Sequence, residues 1–383
     1  MRPLLIAPAL LLLSILSHAE APSPAASSST TVAPADEAKM PAAPFLKTLE
    51  KYIQSAYDGA GMTVDIEGVT TVLGLKDLDT IQHSTRQVED TWLSKISIDR
   101  KKLGIFALSA PPSNTPFAAP ESTDIAIQAA LDLSQLPALL RELHKEIGTP
   151  AAAEAFLTQR IAGIEMETFL QSSRPTIHIC VDFDDNETLF LGKESIGRPH
   201  IALRVDGSHK ILEAILNHFI STRNALFKRQ VTATGKLYTL PAYFSDAIAG
   251  YQPIISFDEI KNTTTIASSI SMFERIEDSG NNLTTDSAFT KTWAGFPEES
   301  SAKAYISKRA LSGLHHFYTL ALKEKWTNNR QFLKKKYLIT GAMMQLHSSQ
   351  SGLAFSIASD ENSDTITLKS PFPSTMLLWI PRQ

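Results

Sequence analysis

The longest apolar run stands at the start of the chain, from Leu4 to Leu16, 13 residues with only Pro8 and Ser14 interrupting it. Met1-Arg2-Pro3 precedes it and Ser17-His18-Ala19-Glu20-Ala21 follows. A basic start, a short apolar centre and small residues at alternate positions form a secretory signal. A membrane anchor would need about 20 residues, so this run predicts a cleaved signal. The favoured cut follows Ala19, the alternative follows Ala21, and no Cys near either permits a lipid-modified terminus. Residues 20–44 are rich in Ala, Pro, Ser and Thr. They cannot bury a core and predict a disordered linker, with order beginning at Phe45.

Beyond the linker, Leu46, Leu49, Ile53 and Tyr57 recur at helical spacing and Asp58-Gly59 ends that helix. Thr80–Val88 and Thr91–Ile98 flank Glu89-Asp90 and predict a hairpin, with Trp92, Ser94, Ile96 and Ile98 on one face. Leu103–Leu108 is a short strand stopped by Pro111-Pro112, and residues 111–122 form a loop. Residues 124–143 and 200–219 share one grammar: a strand, an Asp, a Ser two residues later, then an amphipathic helix. Ser134 and Ser208 are the expected N-caps, and Pro137 sits in a first turn where Pro is tolerated. A weaker copy is Ser268-Ser269 before a helix at Ile270–Ile276.

Residues 150–171 predict a helix. Thr176–Phe183 and Thr188–Leu191 are strands around Asp184-Asp185-Asn186, and Val231–Leu240 and Ile254–Ile270 are mostly strand. A stripe of Ile306, Ala310, Leu314, Phe317 and Ala321 predicts a long helix from Ser300 to Trp326. Tyr337–His347, Leu353–Ser359, Thr365–Lys369 and Thr375–Ile380 close the chain as strands. This order predicts an α+β chain: antiparallel sheets with helices on one face, built on a duplicated strand-helix module. The expected division is a signal at 1–19, a linker at 20–44, and α+β domains at 45–225 and 226–383.

Thr71-Val72-Leu73-Gly74-Leu75-Lys76-Asp77-Leu78, the hairpin, Leu103-Gly104-Ile105-Phe106, the Pro-rich loop and the 124–143 unit carry a resemblance. Gly235-Lys236-Leu237-Tyr238-Thr239-Leu240-Pro241 and Gln252-Pro253-Ile254-Ile255 fit it too. Together, over about half the chain, they are similar to exported proteins of unknown function from verrucomicrobial-type bacteria. The resemblance implies export, but no activity and no site residues.

Apolar residues make up 43% of the chain and charged residues 20%, enough for a real core, and the net charge is −4. The largest basic block is Lys334-Lys335-Lys336, too small for the phosphate contacts that nucleic acid demands. The single cysteine, Cys180, excludes an intramolecular disulfide. It sits in a strand-like run, where it reads as a small buried hydrophobe. His178 lies two residues away on the same strand face, as a catalytic thiol's base would.

Other motifs fall short of chemistry. Ser300-Ser301-Ala302-Lys303 matches S-x-x-K and Ser279-Gly280-Asn281 matches S-x-N, but their order is reversed and no K-T-G follows. Ser300 is therefore expected to cap the long helix, with Lys303 solvated. Asp278-Ser279-Gly280 resembles the aspartic-protease turn but occurs once, where two carboxylates must share a proton. Asp182, Asp184, Asp185, Asn186 and Glu187 could hold Ca²⁺, yet lack the Gly and distal Glu of an EF-hand loop. His315 and His316, adjacent on a helix, cannot share a metal. Gly192-Lys193-Glu194-Ser195 has the wrong order for a phosphate loop. Asn186, Asn262 and Asn282 head glycosylation sequons, close to the number chance supplies.

No catalytic, cofactor-binding or metal residue is assigned, and no cofactor. The chain reads as an exported, soluble, non-enzymatic protein of the periplasm or the exterior. Its expected partner is a macromolecule or lipid of the cell envelope, bound through its sheets. The alternative is an exported hydrolase of unrecognised family.

Overall fold

A computed structural model describes residues 38–41, 80–88, 91–99, 108, 110, 117–146, 148–161, 163–191, 194–207, 209–223, 227–239, 251–278, 282–311, 352–359 and 363–370. The signal, the helix at 46–57, most of Leu103–Leu108, His315-His316, Ser208, Ser279-Gly280-Asn281 and the strands Tyr337–His347 and Thr375–Ile380 lie outside these residues. So does most of the long helix beyond residue 311.

Period-two alternation of branched and small residues builds nearly half of the described chain into strands. They are β1 (Ala38–Pro41), β2 (Thr80–Val88), β3 (Thr91–Asp99), β4 (Ile125–Ala130), β5 (Arg160–Ile161), β6 (Ile164–Glu165), β7 (Thr176–Leu191) and β8 (Glu194–Asp206). Then come β9 (Lys228–Val231), β10 (Gly235–Thr239), β11 (Ile254–Asp258), β12 (Thr263–Ala267), β13 (Ala302–Ile306), β14 (Leu353–Ser359) and β15 (Ser363–Ser370). All but β5 and β6, which pair with each other, join one sheet in the order β1-β2-β3-β15-β14-β13-β4-β7-β8-β12-β11-β10-β9. Every pairing is antiparallel, as the α+β reading expects.

The helices are α1 (Leu136–Glu146), α2 (Pro150–Leu157), α3 (Met166–Ser172), α4 (His209–Arg223), α5 (Ile270–Glu277) and α6 (Ser287–Trp293). The expected strand-then-helix order is present at β4–α1 and at β8–α4. The first cap differs: Asp132 accepts from Ser134 N, and Ser134 lies inside a short 3-10 turn (Leu133–Gln135). An Asp two residues upstream reaches the free N–H first, so the Ser is not needed as the cap. At α5 the expected cap holds, with Ser269 accepting from Met272 N. The helix expected over 150–171 is α2 and α3, separated by the β5–β6 hairpin at Gly163, whose φ of +83° suits glycine. Leu140, Leu157, Met166 and Leu170 bury between α1, α2 and α3.

Two strands depart from expectation. The turn expected at Asp184-Asp185-Asn186 is a bulge: pairing with β8 shifts between Asp184 and Thr188 and runs on to Leu191 opposite Glu194. The helix expected from Ser300 begins instead as β13, paired to β4 and β14; residues 308–311 turn helical. The alternation of Ala302, Ala304 and Ile306 with Lys303 and Tyr305 is a strand period, and the helical stripe starts only after it.

The sheet's two faces differ. On one, register aligns Ala354, Tyr305, Ala126, Cys180, Ala202 and Ala267 across six strands. Mostly small side chains let Phe117, Met272, Leu283 and Phe289 settle close upon them. Phe289 meets Tyr305 edge-on at 5.1 Å and stacks on Trp293 at 5.6 Å. Such a buried aromatic is worth about 3–5 kcal/mol against Ala. The other face carries Ile and Val, and residues 308–311 place Ala310 and Leu311 against Ile306 and Leu353 there.

Helices stand on both faces, which corrects the one-face expectation. Met272 of α5 packs with Ala267. Tyr238 is aligned through Ile255 with Ile266, whose side chain points away from its neighbour Ala267. Tyr238 donates to Glu213 and Asn217 of α4. The alternation of the strand gives each helix its own side.

Candidate functional site

The first candidate is the middle of the isoleucine-bearing face. Ile127, Ile179, Leu203 and Ile266 lie directly opposite one another on β4, β7, β8 and β12. Val181 and Ile201 pair in the next row. Ile127 is 38% exposed, Ile201 47% and Ile266 39%. No charged residue interrupts either row on these strands. Branched side chains pack well on a pleated sheet, yet here their outer surfaces meet solvent. Contiguous exposed apolar surface marks an interaction site more often than chance would place it.

The second candidate is the opposite face, one row along from the small side chains. Ser356, Lys303, Gln128, His178 and Arg204 are aligned across five strands. Lys303 is only 6% exposed, and burial pushes its ammonium below the usual lysine range. This corrects the expectation of a solvated lysine. Its neighbour Ser300 caps no helix: it is buried, its hydroxyl without a partner among the described residues. The inward-facing half of β13 places Lys303 under the covering layer.

His178 sits in this band, and its Nε2 lies 3.1 Å from Asp206 Oδ2. Arg204 Nε donates to the other oxygen of Asp206 at 2.8 Å. Burial alone would raise the Asp206 carboxyl, but hydrogen bonds from His178 and Arg204 outweigh it and hold it low. Cys180, on the same strand face, points elsewhere: its thiol donates to Ala118 O at 3.7 Å. Burial pushes the thiol up to about 12. At neutral pH it stays protonated, so the buried-hydrophobe reading of Cys180 fits and the nucleophile reading does not.

Asp182 does not behave as a Ca²⁺ ligand. Its carboxylate accepts from Arg275, from Arg309 at 2.6 Å and from Ser122 at 3.4 Å. Arg309 Nε also donates to Asp124 Oδ1 at 2.9 Å, and Asp124 Oδ2 accepts from Phe183 N at 3.0 Å. Two buried aspartates and two arginines thus neutralise one another. The side chains of residues 184–187 lie outside the described ones. Among the described residues no three metal-binding side chains converge.

A Ser, a His and an Asp do come near each other at one point. Ser269 Oγ lies 3.1 Å from His200 Nδ1, and Asp182 stands opposite His200 in the sheet. The relay order is not made, because Asp182 is held by the two arginines and Ser269 is spent capping α5.

Sequence reasoning missed the buried Lys303, the Asp124–Arg309 pair and the uncovered isoleucines. Only the last left a signal, as Ile125-Ala126-Ile127 and Ile177-His178-Ile179 put every second side chain on one face. No protein-family model, curated protein or solved structure matches the chain.

Proposed function

We propose that the chain is an exported, non-enzymatic binding protein of the periplasm or the exterior, taking a macromolecule or lipid of the cell envelope on its sheet. The observation that carries this is the uncovered row around Ile127, Ile201 and Ile266. Burying apolar area gains roughly 25 cal/mol per Å², so a partner covering these rows has a driving force that solvent contact withholds. The signal-like start and the resemblance to exported verrucomicrobial-type proteins agree with that setting. The recurrence of strand and helix at β4–α1 and β8–α4 supports the duplicated module. No described helix is long and apolar enough to cross a membrane.

The test compares the mature protein with an Ile201→Lys/Ile266→Lys variant. Co-sedimentation with vesicles of envelope lipid and pull-down from envelope extract are both run. Retention by wild type and loss in an equally folded variant supports the reading. Equal retention, or none with either bait, overturns it.

A second reading, an exported hydrolase, has the Ser269–His200 contact in its favour. A fluorophosphonate probe that labels wild type but not Ser269→Ala would establish it. Unlabelled wild type removes it.

A further inference from the structure

β9 stands last in the order of the described sheet, and its outer edge has a defined hydrogen-bonding polarity. Thr232 N donates to Gly235 O at 2.9 Å, fixing the first bonded pair of the β9–β10 hairpin. In an antiparallel ladder the N–H and C=O of one residue point the same way, and successive residues alternate. With Lys228 opposite Thr239 and Gln230 opposite Leu237, these two and Thr232 turn their backbone groups toward β10. The next ladder confirms the phase, because Glu259 N donates to Thr234 O at 2.8 Å and even-numbered positions of β10 face β11. Arg229 and Val231 therefore hold out two N–H and two C=O groups from the last strand in the order of the described sheet. All of residues 228–234 are exposed, Val231 by 72%.

Charge picks the occupant. The chain carries net −4, yet β9 is locally basic. Arg141, Arg160, Arg174, Arg204, Arg275 and Arg309 each meet a carboxylate. Lys228 and Arg229 meet none among the described residues. Arg229 lies beside Tyr238 on the α4 side, so Lys228 projects to the opposite side. A strand added antiparallel to β9 would satisfy both only with two consecutive acidic residues, one for each face. An apolar residue two positions before the acidic pair would stand opposite Val231.

We propose that β9 is a docking edge for an extended acidic peptide of the pattern apolar-x-acidic-acidic, which joins the sheet as an added strand. This surface is separate from the uncovered isoleucines and stands without them. The rival account is that Lys228 and Arg229 only keep sheet edges of two molecules apart.

The experiment uses the mature protein and a labelled peptide of about nine residues, valine- and threonine-rich with one aspartate pair, the length one strand spans. A control peptide replaces aspartate by lysine. Fluorescence anisotropy should show saturable binding of the acidic peptide alone. Lys228→Ser/Arg229→Ser should weaken binding by about fivefold to tenfold, the scale of two exposed pairs. Hydrogen exchange at the Arg229 and Val231 amides should slow on binding, while the already bonded Gln230 amide is unmoved. Absence of saturable binding, equal binding of the lysine peptide, or unchanged exchange at Arg229 and Val231 overturns the proposal. A Ser variant that self-associates while wild type ignores the acidic peptide overturns it in favour of edge protection. Ile201→Lys/Ile266→Lys leaves β9 intact, so loss at one surface is read separately from loss at the other.

Discussion

Arg309 Nη2 donates to Asp182 Oδ1 at 2.6 Å across 127 residues of sequence. The same guanidinium holds Asp124, and Ser307 Oγ donates to Asp124 Oδ1 as well. The turn after β13 is thereby fastened to the start of β4 and to β7, while Arg275 brings in α5.

Arg309→Met should cost about 2 kcal/mol of folding stability, because it leaves two buried carboxylates with fewer donors. Arg309 is partly exposed, which keeps the figure below that of a fully buried pair. Urea unfolding of wild type and variant measures it. An unchanged midpoint would show that Arg275 and backbone donors suffice.

Lys303 should give stability an alkaline limb. Its folded pKa lies below the unfolded value. The unfolded chain therefore binds more protons between the folded pKa and about 10.4. Stability rises with pH through that window, and the cost of burying the charge is fully present below it. Lys303→Met should flatten the limb in urea midpoints taken between neutral and alkaline pH. Asp206 acts with the opposite chemistry. Its depressed carboxyl contributes stability above the unfolded value of about 3.9, lost as pH falls through the folded pKa.

Cys180 should resist iodoacetamide in the native protein at mildly alkaline pH and react fully in denaturant. A thiol raised to about 12 supplies almost no thiolate there. Mass spectrometry showing rapid native alkylation would contradict its place beneath Phe117 and Met272.

Gly235→Ala should distort β10. A Cβ at this position would fall 1.8 Å from Phe257 O, a backbone atom that cannot swing aside. A loss of about 1–3 kcal/mol is expected from such overpacking, read as a lowered thermal midpoint.

The elements most legible in sequence were those whose signal is local. The β2–β3 hairpin, β14, β15 and the Ser269-capped α5 follow from alternation and capping within a few residues. β13 was not legible, because its five residues run into a helical stripe and its partners β4 and β14 are distant. The bulge between Asp184 and Thr188 was misread as a turn, since acidic residues and Asn favour both. Burial of Lys303 could not be read at all: it depends on what covers the sheet. The uncovered isoleucines were visible as an alternation, but their exposure was not.

Ser97 and Thr365 touch at 3.2 Å although 268 residues separate them. The β3–β15 seam that contains them has a cost in time. Loop closure over such a span precedes any reward from pairing, which places the chain among slow folders. Until the last strands have been delivered, β3 has no neighbour on that side. A polypeptide still being synthesised would carry this open edge until its last strands appear, and a truncation before residue 363 would make the edge permanent.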